Sequence, residues 1–218
     1  MSNHSQTSQA VEIALDGEPH EGVLGLPPNP IGLILFAHGS GSSRLSPRNT
    51  QVAEILQTRG IATLMFDLLT LDEDRHRENR FDIPLLSRRL IGATRWAQQQ
   101  HDLRHLPIGY FGASTGAAAA LIAAGALGND IRAVVSRGGR PDLAMIALPD
   151  VTAPTLLIVG GLDFPVIEMN EAAYRELTCA KEMRIIPGAT HLFEEPGTLE
   201  QVAEAAADWF ERTLPVQA

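Results

Sequence analysis

An α/β architecture, with a mostly parallel central sheet and helices on both of its faces, is what this sequence predicts. Three observations carry that prediction. Short continuous apolar runs such as "IGLILFAHG", "IATLMFD" and "PTLLIVGG" suit strands buried on both faces, as in a parallel sheet covered by helices. Segments with apolar residues at helical spacing alternate with those runs, which is the pattern of strand–helix–strand units. The chain has 218 residues, 44% of them hydrophobic and 20% charged, enough for one large domain with a sizeable core.

Taken in order, residues 1–10, "MSNHSQTSQA", are polar and are expected to form a flexible tail ahead of a single domain over 11–214. Residues 11–15 and 20–26 read as two strands around the Asp16-Gly17 turn signal. "PPNP" interrupts the pattern, and "IGLILFAHG" follows as a buried strand. In "SPRNTQVAEILQTRG", Val52, Ile55 and Leu56 mark a helix that Gly60 stops. "IATLMFD" is the next strand, and "FDIPLLSRRLIGATRWAQQQ" the next helix. The mixed charge run "DEDRHRENR" at 72–80 between them is expected to be a solvated loop. "PIGYFGA", "IRAVVS", "PTLLIVGG" and "KEMRIIPG" complete the strands. "STGAAAALIAAGAL", "IEMNEAAYREL" and "LEQVAEAAADWFERTL" complete the helices.

Charge and composition exclude several classes. The formal net charge is −9 with no basic stripe, so phosphate neutralisation on a nucleic acid is not expected. The single cysteine, Cys179, permits no internal disulfide. The tail lacks the apolar core of a signal peptide, and no apolar stretch reaches the roughly 18 residues of a membrane span. A cytoplasmic protein without membrane partners is the expectation, and the sequence says nothing about its oligomeric state.

"GYFGASTGAAAA" holds the chemistry. Gly112-Ala113-Ser114-Thr115-Gly116 is a G-x-S-x-G pattern lying where a strand turns into a helix. A nucleophile at the tip of such a turn faces substrate on a strained backbone. Glycines two residues to either side let strand and helix approach without a Cβ clash. The helix that follows turns its free N–H groups toward the place where negative charge would develop. Alone, the pattern could be a tight turn, because a serine hydroxyl needs a base.

Among seven histidines, His4 lies in the tail, and His20, His76, His101 and His105 read as surface residues. His191, in "PGATHLFEEPG", follows the last strand and so lies at the carboxyl edge with Ser114. Asp163, after "PTLLIVGG", is the acid expected to orient it, with Glu168 as a rival placed inside the next helix. Ser114, Asp163 and His191 occur in the chain order of nucleophile-elbow enzymes. The oxyanion needs two N–H donors. Thr115 is expected to supply one, and Ser40, in "HGSGSS", the other. His38 reads as a brace for that loop. Arg137 and Arg140, just past a strand end, could meet a substrate carboxylate or simply brace their loop. Cys179 has no activating neighbour in the sequence.

Together "AHGSGSSRLSPRN", "FDIPLLSRRL", "GYFGASTG", "SRGGRPDLA", "LLIVGGLD" and "GATHLFEEPG" resemble the dienelactone hydrolase-like family of α/β-hydrolases over nearly the whole chain. The resemblance implies the α/β-hydrolase fold, the triad Ser114, Asp163 and His191, and no metal or organic cofactor. The linker "SRGGRPDLAMIALPDVTAP" is too short for the helical cap of larger relatives. Dienelactone hydrolases proper use cysteine as nucleophile and carry a glutamate in the oxyanion loop. Serine at 114 and the loop "AHGSGSS" point instead to an ordinary carboxylic ester cleaved through an acyl-serine. The same residues would serve a thioesterase, lactonase or acyltransferase, and a catalytically silent binding module is the alternative of another class.

Overall fold

The computed structural model describes residues 7–215. A hairpin of β1 (Thr7–Leu15) and β2 (Glu18–Leu26) opens the chain. Then come β3 (Leu33–Ala37), α1 (Pro47–Thr58), β4 (Ala62–Phe66), α2 (Ile83–Gln99), β5 (Ile108–Ala113) and α3 (Thr115–Leu127). The remainder is β6 (Ile131–Arg137), β7 (Thr155–Gly160), α4 (Phe164–Glu176), β8 (Lys181–Ile186) and α5 (Thr198–Thr213). Residues 7–10, expected in the tail, lengthen β1, because their backbone pairs with the far end of β2. The tail's first six residues lie outside the described region.

The strands form one eight-stranded sheet in the order β1-β2-β4-β3-β5-β6-β7-β8. β1, β2 and the β2–β4 contact are antiparallel, and the pairs from β4 to β8 are parallel. The apolar runs behave as their composition requires: β3, β4, β5 and β7 are buried along their whole length. One core lies between the sheet and α2, α3 and α4, and another beneath α1 and α5. Helix α3 is apolar and small on every side. Ala117 to Leu121 are all fully buried, which lets this helix run close over the sheet centre. Ser46 caps α1 and Asp82 caps α2, each accepting a backbone N–H of the first turn.

One connection differs from expectation. The charged run at 72–80 is not simply solvated. It folds into 3₁₀ turns at Glu73–Arg75 and Arg77–Phe81. Its Arg80 turns back onto the Asp74 carbonyl and carboxylate, and its Glu73 accepts from buried Arg89 of α2 at 2.6 Å. Between β6 and β7, a 3₁₀ segment at Pro141–Asp150 packs on α3 and α4 in place of a cap.

Candidate active site

Parallel strands place their carboxyl ends, and the loops leaving them, along one edge of the sheet. Ser114 stands at that edge, at the end of β5. Its backbone has φ 50° and ψ −120°, a conformation of order 1–3 kcal/mol above ordinary regions for a residue with a Cβ. The surroundings hold it there. Ser114 N–H donates to Arg137 O at 3.2 Å, and Ser114 O accepts from Arg140 N–H and Ala117 N–H at 3.1 Å each. Both flanking glycines are obligatory: a Cβ on Gly112 would meet Ala117 Cα at 2.5 Å, and one on Gly116 would meet Ala37 O at 2.1 Å. The Ser114 side chain is half-buried and does not cap α3.

Asp163 and His191 come together as the sequence suggests. Asp163 Oδ2 and His191 Nδ1 are 2.6 Å apart, with the acid at 13% and the imidazole at 38% side-chain exposure. Glu168 is exposed on α4 and is not the imidazole's partner. The histidine loop is itself tied down. Thr190 donates its N–H and its hydroxyl to Glu195 at 3.1 and 2.6 Å, and the hydroxyl bond holds the Glu195 carboxyl below its usual range. Gly138 joins the two halves of the site. It follows Arg137, to which the Ser114 N–H is bonded, and a Cβ on it would stand 3.6 Å from His191 Cε1. The hydroxyl of Ser114 makes no hydrogen bond to the imidazole among the described residues. Such contacts often tighten only when substrate is bound.

The oxyanion loop corrects one expectation. Ser40 N–H does not point freely into the site, because it donates to Thr115 Oγ1 at 2.9 Å. Thr115 is the first residue of α3, is 2% exposed, and offers its oxygen to the loop packed above it. The side chain of Thr115 thus clamps the loop to the elbow. Gly39 lies directly against Ser114, its missing Cβ only 3.2 Å from Ser114 Cβ. His38 is the brace the sequence implies: its Nε2 accepts Leu68 N–H at 3.0 Å, its Nδ1 faces Gly39 O at 3.1 Å, and burial pushes its pKa down. Arg80, from the charged run, closes over this loop with its Nη1 3.9 Å from where a Gly41 Cβ would be. No sequence signal pointed to that contact.

Both arginines have side-chain partners within the protein. Arg140 has its guanidinium fork paired with Asp142 at 2.8 Å on both arms. Arg137 is 7% exposed, donates to Asn49 Oδ1 at 3.3 Å, and packs 6.0 Å from the Phe193 ring centroid. Desolvation, with Arg48 adding repulsion, pulls its pKa down to about 10. It is buried against Phe193 of the histidine loop rather than lying at the surface. His20 is a second correction. Read as a surface residue, it is 1% exposed, its Nδ1 2.7 Å from Asp67 O and its Nε2 facing Arg89 Nη1 at 2.5 Å. His76, His101 and His105 are exposed as expected, and burial raises the Cys179 thiol pKa.

A large open cavity lies at the opposite edge, lined by Asn129, Arg132, Thr152 and Arg212, and contains none of these groups. Among the described residues no cluster of His, Cys, Asp or Glu is arranged to hold a metal ion, and no helix is long and apolar enough to cross a membrane.

An α/β-hydrolase is the class that this sheet order and strained strand-to-helix elbow define. The sequence profile of the Dienelactone hydrolase family matches residues 49–216. The chain belongs to that family. A dienelactone hydrolase from Anabaena variabilis is 55% identical, with a TM-score of 0.95 over 97% of this chain and 100% of that one. Est1E from Butyrivibrio proteoclasticus shares the fold at 19% identity, with a TM-score of 0.81 over 93% of this chain and 98% of that one. A Mycobacterium tuberculosis protein provisionally named a phosphoribosyl transferase is 56% identical over 202 residues, covering 93% of this chain. The chain spans only 46% of that relative's length.

Proposed function

We propose that the protein is a cytoplasmic serine hydrolase that cleaves small carboxylic esters through an acyl-serine intermediate. The observation that carries this reading is the Asp163–His191 bond at 2.6 Å, made at the same sheet edge as the strained Ser114. With Nδ1–H held by the carboxylate, Nε2 is the basic nitrogen and accepts the Ser114 proton as the hydroxyl attacks the carbonyl. Asp163 then stabilises the imidazolium. The tetrahedral oxyanion receives Thr115 N–H, at the positive end of α3, and a second N–H from Gly39 or Gly41, since Ser40 is held by Thr115. Collapse returns the proton from Nε2 to the leaving alkoxide. Water repeats the sequence with the imidazole as base, releasing the acid and Ser114.

Thioesters and lactones present the same carbonyl to the same groups, and an acceptor alcohol in place of water would make the reaction an acyl transfer. The transferase name belongs to a protein about twice as long, and its activity is not carried over. Labelling by a fluorophosphonate, compared between wild type and Ser114→Ala, separates an activated serine from a silent binding module. A panel of p-nitrophenyl ester, lactone and thioester then ranks the acyl donors. Absence of labelling in the folded wild type would reject the reading.

A further inference from the structure

Large apolar side chains left in water are not spread evenly over this protein. Ten are exposed among the described residues, and eight of them sit in connections leaving the carboxyl ends of parallel strands or at the first residue of the helix that follows. The two exceptions are Ile31, which precedes β3, and Ile185, within the edge strand β8. These connections begin on the edge that carries Ser114, although the Pro141–Asp150 turn with Leu143 and Ile146 runs back along α3 to Gly125, away from it. Leu162 and Phe164, exposed by 53% and 65%, flank Asp163 in the chain, and Leu192, at 40%, follows His191. On the other side of β5 in the sheet order, Leu71 and Phe81 rise from the connection after β4, exposed by 84% and 46%.

Exposed apolar groups gathered in one region mark a surface that is covered in function. The chemistry beside these groups identifies what covers it. A protein partner or a second copy seated on side chains adjacent to Asp163 and His191 would lie over the nucleophile and shut it off. An anionic lipid surface is disfavoured by the net charge of −9, and the exposed acids of these connections are balanced by neighbouring arginines, Asp72 by Arg75 and Glu194 by Arg48. A small molecule with its reacting carbonyl at Ser114 and apolar arms reaching outward uses both features. We propose that this collar binds the non-reacting part of the substrate, and that the substrate is an ester with a large uncharged group, a medium-length acyl chain or an aromatic ring. The proposal rests on the hydrolase reading and names its substrate class. Each methylene moved from water onto such a surface is worth up to about fourfold in transition-state binding.

The test uses the full chain with p-nitrophenyl acetate, butyrate and octanoate below their micelle concentrations. kcat/KM rises by about tenfold or more from acetate to octanoate. The double variant Leu162→Ser with Phe164→Ser flattens that rise to within about threefold, whereas Ile31→Ser, remote from the collar, preserves it. Both positions are exposed, and circular dichroism verifies the fold. A flat or falling wild-type profile overturns the proposal, and so does an undiminished rise in the double variant. Sedimentation at assay concentration adds a third outcome: a dimer that the double variant dissociates assigns the collar to a second copy and overturns the substrate assignment. Failure of the hydrolase reading looks different, with no ester of any length cleaved and no fluorophosphonate on Ser114.

Discussion

His191 at the β7–β8 side of the sheet and the pair His20 and His38 at the β2–β3–β4 side show two ways of using an imidazole. His38 has both ring nitrogens engaged by backbone groups, Leu68 N–H and Gly39 O, and His20 is held between Asp67 O and Arg89. Both are buried, both are pushed toward the neutral form by burial, and neither has a nitrogen left for a reaction. His191 has one nitrogen fixed by a carboxylate, and its Nε2 makes no hydrogen bond among the described residues. The difference lies in the partner. A backbone carbonyl fixes a neutral ring in place, whereas a carboxylate also stabilises the charged ring that forms during proton transfer.

The sharpest way to break this contrast is to remove what His191 serves. Ser114→Ala lowers kcat by roughly 10⁴-fold or more with an unchanged melting profile, since nucleophile, base and acid act as a unit. Near-normal turnover by that variant would dissolve the assignment. Next, Asp163→Asn costs on the order of 10³ to 10⁴ in kcat by favouring the wrong tautomer, while Glu168→Gln costs little. Steady-state kinetics showing the reverse ranking would move the acid to Glu168.

A smaller effect tests the loop beside His38. Thr115→Val leaves the Ser40 N–H without its acceptor, and kcat falls by about 10- to 100-fold as the oxyanion loop loosens. Ser40→Ala keeps the N–H and stays within about tenfold of wild type. If the two variants have equal activity, the clamp does not position the loop. The mildest effect sharpens the contrast through stability. Folded His20 and His38 both titrate below their ordinary value of 6.5, so near and below that pH the unfolded chain binds more protons than the folded one. Stability is therefore full above about 6.5 and declines as pH falls through the depressed folded values. The melting temperature drops by several degrees between about pH 8 and pH 5. A melting temperature that holds constant over that range contradicts the buried, neutral assignment.

The legible parts of the molecule were those where local pattern and global fold demand the same residue. Continuous apolar runs located β3 to β7. Gly112 and Gly116 located the elbow, because their contacts admit no Cβ. Asp163 and His191 were legible because each directly follows a strand. What stayed hidden depended on contacts between residues far apart in the chain. Ser40 N–H meets Thr115 Oγ1, seventy-five positions away, and nothing around "HGSGSS" announces that partner. His20 read as a surface residue, yet the pairing of β2 with β4 brings it under Asp67, and Arg89 of α2 then covers it. Arg80 lies in a run whose composition reads as solvated, and only the 3₁₀ turns bring it over Gly41.

The backbone of Ser114 also bears on the order in which the protein folds. Its unfavourable dihedrals are held by Arg137 O and Arg140 N–H, groups that arrive only when β6 has docked beside β5. Local sequence can form α3 early, but Ser114 cannot settle into these dihedrals until that long-range pairing closes. If Ser114 carries the proposed chemistry, an incompletely folded chain is quiet even where its helices are already formed. On refolding from urea, far-UV ellipticity recovers ahead of fluorophosphonate labelling, and a serine that labels in step with the first helical signal would show that the elbow needs no such support.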